Sequence, residues 1–371
     1  MTLEQELSKH FLYLERLKPK SVEVIQDNLE IAKENILKAM STTNNQRQLR
    51  ALIKKEVTTA FSGLDALILD DVENVTGLAW NSTGAILTTY LAKDLSKRFI
   101  KFDNLDDTIK KQLLNPKQLI LGNNLNDYEN NFIYSANNKL RGAVLQGLQD
   151  KVGVDEVRRN LDGILGNIGR NQVRTVARTA MLSAINQAKE KQYSQMFEGV
   201  DVKYKYSAVL DSRTSIYCVN ANGYMTDNVK NADYRPNSHY NCRSMWIPTT
   251  KAIEEYESKQ PKTQDVVQWD GRDKVVYKEV RGKMKKTYPN LIHHRDGTTS
   301  TKFTHNSVKK VKYDPTPQQF FNSFDEKFKI DYMGKKKYEI YKANDLSFKD
   351  MLNSSRNDFL TVEELTKKLN R

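Results

Sequence analysis

The stretch RNQVRTVARTAMLSAINQAKEKQYSQMF, residues 170–197, predicts a long α-helix. Apolar and small residues recur in it at steps of three and four, which is the spacing of one helical face. No proline falls between Lys117 and Arg235, so nothing there breaks a helix interior. The small residues allow close packing. The predicted buried side consists of Val173, Val176, Ala177, Ala180, Met181, Ala184, Ile185 and Ala188.

A change of period follows this helix. In GVDVKYKYSAVLD, residues 199–211, Val202, Tyr204 and Tyr206 alternate with polar residues, which predicts a half-buried strand. The run SMWIP, residues 244–248, predicts a second short strand. We therefore predict a small module of helices closed by a short sheet over residues 139–252.

Three glycines precede the long helix. Gly163, Gly166 and Gly169 are spaced at three, which matches neither a dinucleotide-binding nor a P-loop pattern. We expect a helix end followed by a turn at this point.

The regions on either side of the module differ in character. SVEVIQDNLEIAKENILKAM, residues 21–40, and QLRALIKKEVTTAFSGLDALI, residues 48–68, have helical periodicity, with Ser21 a plausible N-cap. The later chain has short strands and then helices, the last opened by a Thr361–Glu364 capping box. The predicted fold class is α+β and mostly α-helical. Its parts are a long-helix region at 1–138, the module at 139–252, and an irregular to helical lysine-rich region at 253–371.

The composition favours a polyanionic partner. The chain has 371 residues with a formal net charge of +13, and a basic excess of this size attracts nucleic acid or acidic surfaces. We expect the lysines to be scattered rather than gathered in one arm. Two cysteines exclude a disulfide scaffold and suit a reducing compartment.

The stretch PNSHYNCRSMWIP, residues 236–248, raises the question of a metal site. His239 and Cys242 have a workable ligand spacing, and Cys218 offers a third soft ligand. A structural zinc site takes four ligands, so zinc stays an open alternative. The favoured interpretation is a buried, hydrogen-bonded clasp without a cofactor, and a Cys218–Cys242 disulfide is a further alternative.

Catalytic alternatives have weaker support. His293, His294 and His305, with Asp296, resemble half of a His-Asn-His nuclease, but no matching ligand set lies nearby. A Cys242–His239 nucleophile pair lacks a visible oxyanion loop. We therefore expect that the chain is not an enzyme.

The motifs taken in order resemble the head-morphogenesis domain of phage Mu F-like minor head proteins. In that family an Arg-Thr helix precedes a strand, an Asp-x-Arg-Thr segment, a glycine turn and a Pro-x-x-His-x-Asn-Cys-Arg stretch. The resemblance covers about residues 140–250. The matching residues are Arg178, Thr179, Asp211, Arg213, Thr214, Gly223, Pro236, His239, Asn241, Cys242 and Arg243.

The chain also departs from the family pattern. Ala180 stands where a glutamate often follows Arg-Thr, Ser215 stands where a cysteine or histidine is common, and Ser244 replaces the partner of Cys242. These losses weaken the metal hypothesis. The residues predicted to form the structural clasp are Arg178, Asp211, Arg213, Thr214, His239, Asn241, Cys242 and Arg243.

The resemblance implies a low-copy virion protein at the portal vertex or capsid interior, made in the host cytoplasm. It would assist capsid assembly and DNA packaging or delivery. The implied partners are the portal protein, contacted by the N-terminal helices, viral double-stranded DNA bound without sequence preference, and the scaffold or major capsid protein, with no membrane during assembly. Two alternatives remain: a metal-dependent nuclease or toxin-like enzyme, and a nucleic-acid-binding protein outside any virion. The candidate DNA contacts are Lys309, Lys310, Lys335, Lys336 and Lys337.

Overall fold

The computed structural model describes most of the chain in two compact units. The described residues are 3–15, 17–43, 45–94, 105–115, 119–121, 123–210, 214–258, 263–267, 276–280, 283–287, 291–293, 299–301, 308–312, 317–322, 326–353 and 358–370. The first unit comprises Met1–Ser207 with Tyr224–Glu254, and the second comprises Ala208–Gly223 with Glu255–Arg371.

The first unit is built mainly from helices, as the periodicity predicts. Their apolar faces supply its core, including Leu3, Ile25, Ile53 and Trp80, each at most 1% exposed. The helices are α1 (Leu3–Glu15), α2 (Lys20–Thr42), α3 (Gln46–Phe61), α4 (Leu64–Asp94), α5 (Asp107–Leu113), α6 (Leu125–Gln149), α7 (Val154–Gly166) and α8 (Arg174–Met196).

Helix α2 begins differently from the prediction. It starts at Lys20, and Ser21 is buried inside its first turn, so the expected Ser21 N-cap is wrong. The backbone N–H groups of Lys20 and Ser21 instead donate to the two carboxylate oxygens of Asp71, at 2.8 and 2.9 Å. Asp71 lies in α4, so an acidic side chain far along the chain accepts from N–H groups that have no partner within the helix.

The glycine-rich segment does not end the helix, and this prediction is also wrong. A π-helical segment, Asn167–Val173, joins α7 directly to α8. At Gly169 a Cβ atom would stand 3.2 Å from Gln26 Cγ and 3.4 Å from Leu29 Cδ1. The missing side chain therefore allows α2 to approach the wide π turn closely, and packing replaces the expected turn.

A small antiparallel sheet completes the first unit. Its strands are β1 (Lys203–Ala208), β2 (Met225–Thr226) and β3 (Ser244–Thr249), in the order β2-β1-β3. Tyr204 pairs with Thr226, and the Tyr206 ring meets the Trp246 ring edge-on at 5.5 Å. Both predicted strands are confirmed, as is the mostly helical fold class with a small sheet.

The second unit has its own core. Around Val219, which is 1% exposed, cluster the aromatic and apolar residues Phe320, Phe321, Met333, Phe348, Met351, Phe359 and Leu365. The capping box predicted at Thr361 and Glu364 is confirmed. The helices are α9 (Ile216–Ala221), α10 (Lys251–Ser258, which spans the boundary between the units), α11 (Pro317–Asn322), α12 (Glu326–Met333), α13 (Lys335–Ala343) and α14 (Val362–Leu369).

The remaining strands form two-stranded ladders. Their pairings are β4 with β9, β5 with β6, β7 with β8, and β10 with β11. The strands are β4 (Thr263–Val267), β5 (Val276–Val280), β6 (Lys283–Thr287), β7 (Leu291–His293), β8 (Thr299–Thr301), β9 (Val308–Lys312), β10 (Leu352–Asn353) and β11 (Asp358–Phe359).

The distant cap of α2 can be tested by mutation. We expect Asp71→Ala to lower the free energy of unfolding by about 1–2 kcal/mol, because it removes a charged partner from two helix-end donors. Urea unfolding followed by circular dichroism measures the change. The matched control is Asp70→Ala at the neighbouring exposed position of the same helix. Equal losses for the two variants would show that the cap contributes nothing specific.

Candidate functional site

Helix α8 is buried on its polar side as well as on its apolar side. The predicted apolar face is confirmed, since Val173, Ala180 and Ile185 are each 0% exposed. A second, polar row is buried beside it: Thr179, Ser183, Asn186, Lys189 and Gln192. Buried polar groups need hydrogen-bond partners. The elements that pack against this row must therefore supply hydrogen-bonding atoms.

The loop before β3 is one of these neighbours. The backbone N–H of Asn241 donates to Thr179 Oγ1 at 3.0 Å. Asn186 donates through Nδ2 to Asn237 Oδ1 at 3.1 Å and to the Ser244 carbonyl oxygen at 2.8 Å. Asn237 and Asn241 adopt φ values of 62° and 54°, in the left-handed region that asparagine tolerates better than most residues. Two α8 side chains thus hold a tightly curved loop.

The other predicted residues of this loop differ in exposure. Cys242 and Arg243 are buried, while His239 is half-buried with its Nδ1 2.9 Å from the Tyr240 carbonyl oxygen. The Tyr240 hydroxyl lies 2.5 Å from the hydroxyl of Tyr128 in α6. Partial burial and this hydrogen bond raise the pKa of Tyr128 to about 12, so the Tyr128 phenol is neutral at physiological pH.

Arg178 connects α8 to the first helix of the chain. Its guanidinium donates to Glu15 Oε1 at the end of α1, and the Glu15 side chain is almost fully buried. A buried carboxylate is costly without such a partner. Glu4, at the other end of α1, accepts hydrogen bonds from Lys205 Nζ at 2.9 Å and Ser207 Oγ at 2.7 Å. Ion pairs therefore fasten both ends of α1 to the unit.

Lys189 is the least expected residue of the polar row. It is 1% exposed, and its Nζ lies 3.4 Å from Met245 Sδ and 4.9 Å from the centre of the Phe11 ring. Burial lowers the pKa of Lys189 to about 7. Burial also lowers the pKa of His10 to about 4, with a further contribution from the charge on Lys189. The amine is thus held by soft, polarisable partners beneath α1.

The second unit holds two further predicted residues. Thr214 donates through Oγ1 to the Val209 carbonyl oxygen at 2.5 Å, and its own carbonyl accepts from the Tyr332 hydroxyl at 3.0 Å. Cys218 is buried in α9. Asp211 and Arg213 lie outside the described residues. Their predicted role in the clasp stays a prediction.

The candidate DNA contacts fall on two elements. Lys309 and Lys310 are in β9, and the lysines at 335–337 open α13. Lys335 and Lys336 are exposed, whereas Lys337 is half-buried with its Nζ 5.7 Å from the centre of the Phe359 ring.

Two of the three metal ligands predicted from the sequence lie in the first unit. His239 and Cys242 belong to the first unit, and Cys218 belongs to the second. Both cysteines are free thiols, not a disulfide. A set of three falls one short of the four ligands of a structural zinc site. The donor set therefore suits a metal only if a fourth ligand is supplied.

Sequence reasoning missed several residues that hold this region together. Glu15, Asn186, Lys189 and Gln192 each make a contact that reaches another element; the Gln192 amide, for example, donates to the Trp80 carbonyl oxygen at 2.9 Å. One signal was available: polar residues recur at helical spacing within an otherwise apolar helix. That pattern is also typical of a solvent-facing side, so spacing alone could not reveal burial.

The buried amine predicts a pH-dependent stability. The pKa of Lys189 is depressed in the folded chain from its ordinary value of 10.5, so the unfolded chain binds more protons between pH 7 and that value. Stability should therefore rise with pH across this window and be lost as pH falls through it. We expect Lys189→Met to raise the free energy of unfolding at pH 7 by about 1–4 kcal/mol and to flatten this dependence.

Urea unfolding at pH 7 and pH 9 measures both effects. Lys191→Met, at a half-buried position of the same helix, is the control for the loss of a lysine. A Lys189→Met variant less stable than the parent at pH 7 would contradict the expectation.

The metal question has a direct measurement. We expect purified protein to contain well below one zinc per chain, because the sequence offers three soft ligands, Cys218, His239 and Cys242, and a structural site takes four. Elemental analysis by mass spectrometry gives the ratio. A value near one that disappears in Cys242→Ser would establish a zinc site and overturn the expectation.

Comparison with known proteins bears on the same region. The family described as Phage Mu protein F like protein matches residues 138–247, which contain α8, the loop before β3 and most of β3. Neither the curated proteins nor the solved structures gave a match. The resemblance drawn from the sequence motifs is confirmed: residues 138–247 of the chain match the family described as Phage Mu protein F like protein.

Proposed function

We propose that the chain is a phage minor head protein that acts at the portal vertex. It aids capsid assembly and DNA packaging or delivery, and it binds double-stranded DNA without sequence preference. The observation that carries this proposal is the Phage Mu protein F like match over residues 138–247. On this proposal the protein acts in the virion, at the capsid interior or portal vertex, after synthesis in the host cytoplasm.

The architecture supports a structural role. Polar side chains of the matched region hold neighbouring elements together: Thr179 and Asn186 of α8 bond to the loop at Asn237 and Asn241 and to the Ser244 backbone. Such a region holds a shape that partners can recognise. No helix in the described part of the chain is long and apolar enough to span a membrane.

The net charge of +13 supports the DNA part of the proposal. Lysines that neutralise phosphates release counterions, which gives affinity that is blind to sequence and falls steeply with salt. The proposed protein partners are the portal protein, engaged through the N-terminal helices, and the scaffold or major capsid protein.

Portal association has a direct test. The chain, co-expressed with the portal protein of the same phage, should co-purify with portal oligomers at low salt, as judged by size-exclusion chromatography. Failure to detect a complex at low salt would count against the portal role. A portal gene directly upstream in the genome would support it independently.

The enzyme alternative is tested separately. We propose that the chain does not cleave DNA, so plasmid incubated with it and Mg²⁺, Mn²⁺ or Zn²⁺ should stay supercoiled on a gel. Of the residues that raised this alternative, His293 is in β7, while His294, His305 and Asp296 lie outside the described residues. Metal-dependent cleavage that is lost in His294→Ala would favour the nuclease instead.

A further inference from the structure

The net positive charge of the chain is concentrated in one segment. Residues 259–316 hold 14 lysines and arginines against 6 aspartates and glutamates, a net charge of +8 out of +13 for the whole chain. Residues 1–138 hold 17 basic against 18 acidic residues, and residues 317–371 hold 11 against 9. The lysines and arginines are spread along the chain as expected, with 14 of 59 in this segment, but the acidic residues that would balance them are sparse there.

This basic segment lies in the sequence between two helices. The chain leaves α10 after Ser258 and enters α11 at Pro317. Between them its described strands pair only as two-stranded antiparallel ladders, β4 with β9, β5 with β6 and β7 with β8. We call residues 259–316 the basic arm.

Within the arm, the β5–β6 ladder has an unusual register. Lys278 is directly opposite Lys285, and Val280 is opposite Lys283. Opposed residues of an antiparallel ladder share a face, as do alternate residues of a strand. Lys278, Lys283 and Lys285 are therefore on one face, whose other positions are Val276, Val280 and Thr287, so this face carries no acidic residue.

The opposed lysines of β5 and β6 destabilise this ladder when it is isolated. Like charges placed directly opposite each other destabilise a strand pair, and a two-stranded hairpin is only marginally stable in water. The β4–β9 ladder shows the contrasting pattern, because there Lys310 is opposite Asp265. A polyanion that neutralises the lysine face of β5–β6 would remove the repulsion and stabilise the hairpin.

We infer that the basic arm is the DNA-binding element of the chain and that the lysine face of the β5–β6 hairpin contacts DNA phosphates. The inference rests on the proposed function and deepens it. Alternate positions along a strand are about 6.8 Å apart, close to twice the axial spacing of about 3.4 Å between phosphates of one DNA strand. A two-stranded ribbon also fits the major groove of B-DNA.

The inference changes which of the candidate DNA contacts matter. It favours the arm over the lysine group at 335–337 in α13, which belongs to a region with little net charge. Lys310 is also a weaker candidate than the hairpin lysines, because its cross-strand partner is an acid.

Two triple variants of the full chain test the inference. One replaces Lys278, Lys283 and Lys285 with glutamine, and the matched control replaces Lys335, Lys336 and Lys337 with glutamine. Both lose three charges, and circular dichroism confirms that each folds. Fluorescence anisotropy with a random-sequence B-DNA duplex, repeated over a range of salt concentrations, gives the slope of log affinity against log salt.

We expect the hairpin variant to have a slope shallower by about 3 and the α13 variant a slope close to that of the parent, since each phosphate contact contributes about 0.9 to the slope. Equal changes in the two variants, or a change in the α13 variant alone, would overturn the inference while leaving DNA binding intact. No DNA binding by the parent at low salt would instead remove the DNA part of the proposed function, and the inference with it.

A competition measurement distinguishes DNA from an acidic protein as the partner. Polyglutamate of matched charge and length should compete with the duplex much less effectively than unlabelled DNA does. Equal competition would contradict the DNA assignment and indicate an acidic protein surface as the partner.

Discussion

The burial of polar side chains on α8 is the constraint on which the first unit depends. A buried hydrogen-bonding group left without a partner costs about 1–3 kcal/mol, so each element around the helix must supply a specific atom. The loop before β3 offers the Ser244 carbonyl to Asn186, and α4 offers the Trp80 carbonyl to Gln192. An apolar helix could slide or rotate against its neighbours, whereas these directional bonds set one arrangement.

The same helix explains why the family-matched region is incomplete by itself. Residues 138–247 contain Arg178 and Lys189, but the groups that cover them, Glu15 and Phe11, belong to α1. Removing α1 would leave a half-buried guanidinium without its carboxylate and expose an amine that is held against apolar surface. Lys189 itself lowers stability at neutral pH, because its environment disfavours the charged form. The N-terminal helices are thus part of the core of the matched region and are not simply attached to it.

Shape and charge are divided between different parts of the chain. The helices of residues 1–138 have nearly balanced charge, which suits contacts with protein through shape and apolar surface. The basic arm holds most of the excess charge, +8 of +13.

The sequence by itself determined the helices, the two module strands, the capping box at Thr361 and the family of the central region, because period, cap chemistry and motif order are local properties. Only the tertiary structure decided the Asp71 cap of α2, the helix continuing through Gly169, and the pairing of Arg178 with Glu15. The paired residues stand 50 and 163 positions apart. The physical reason is that a residue's local pattern reports its neighbours within a turn or two, whereas the partner of a buried polar group is chosen by whichever distant element the packed core places beside it.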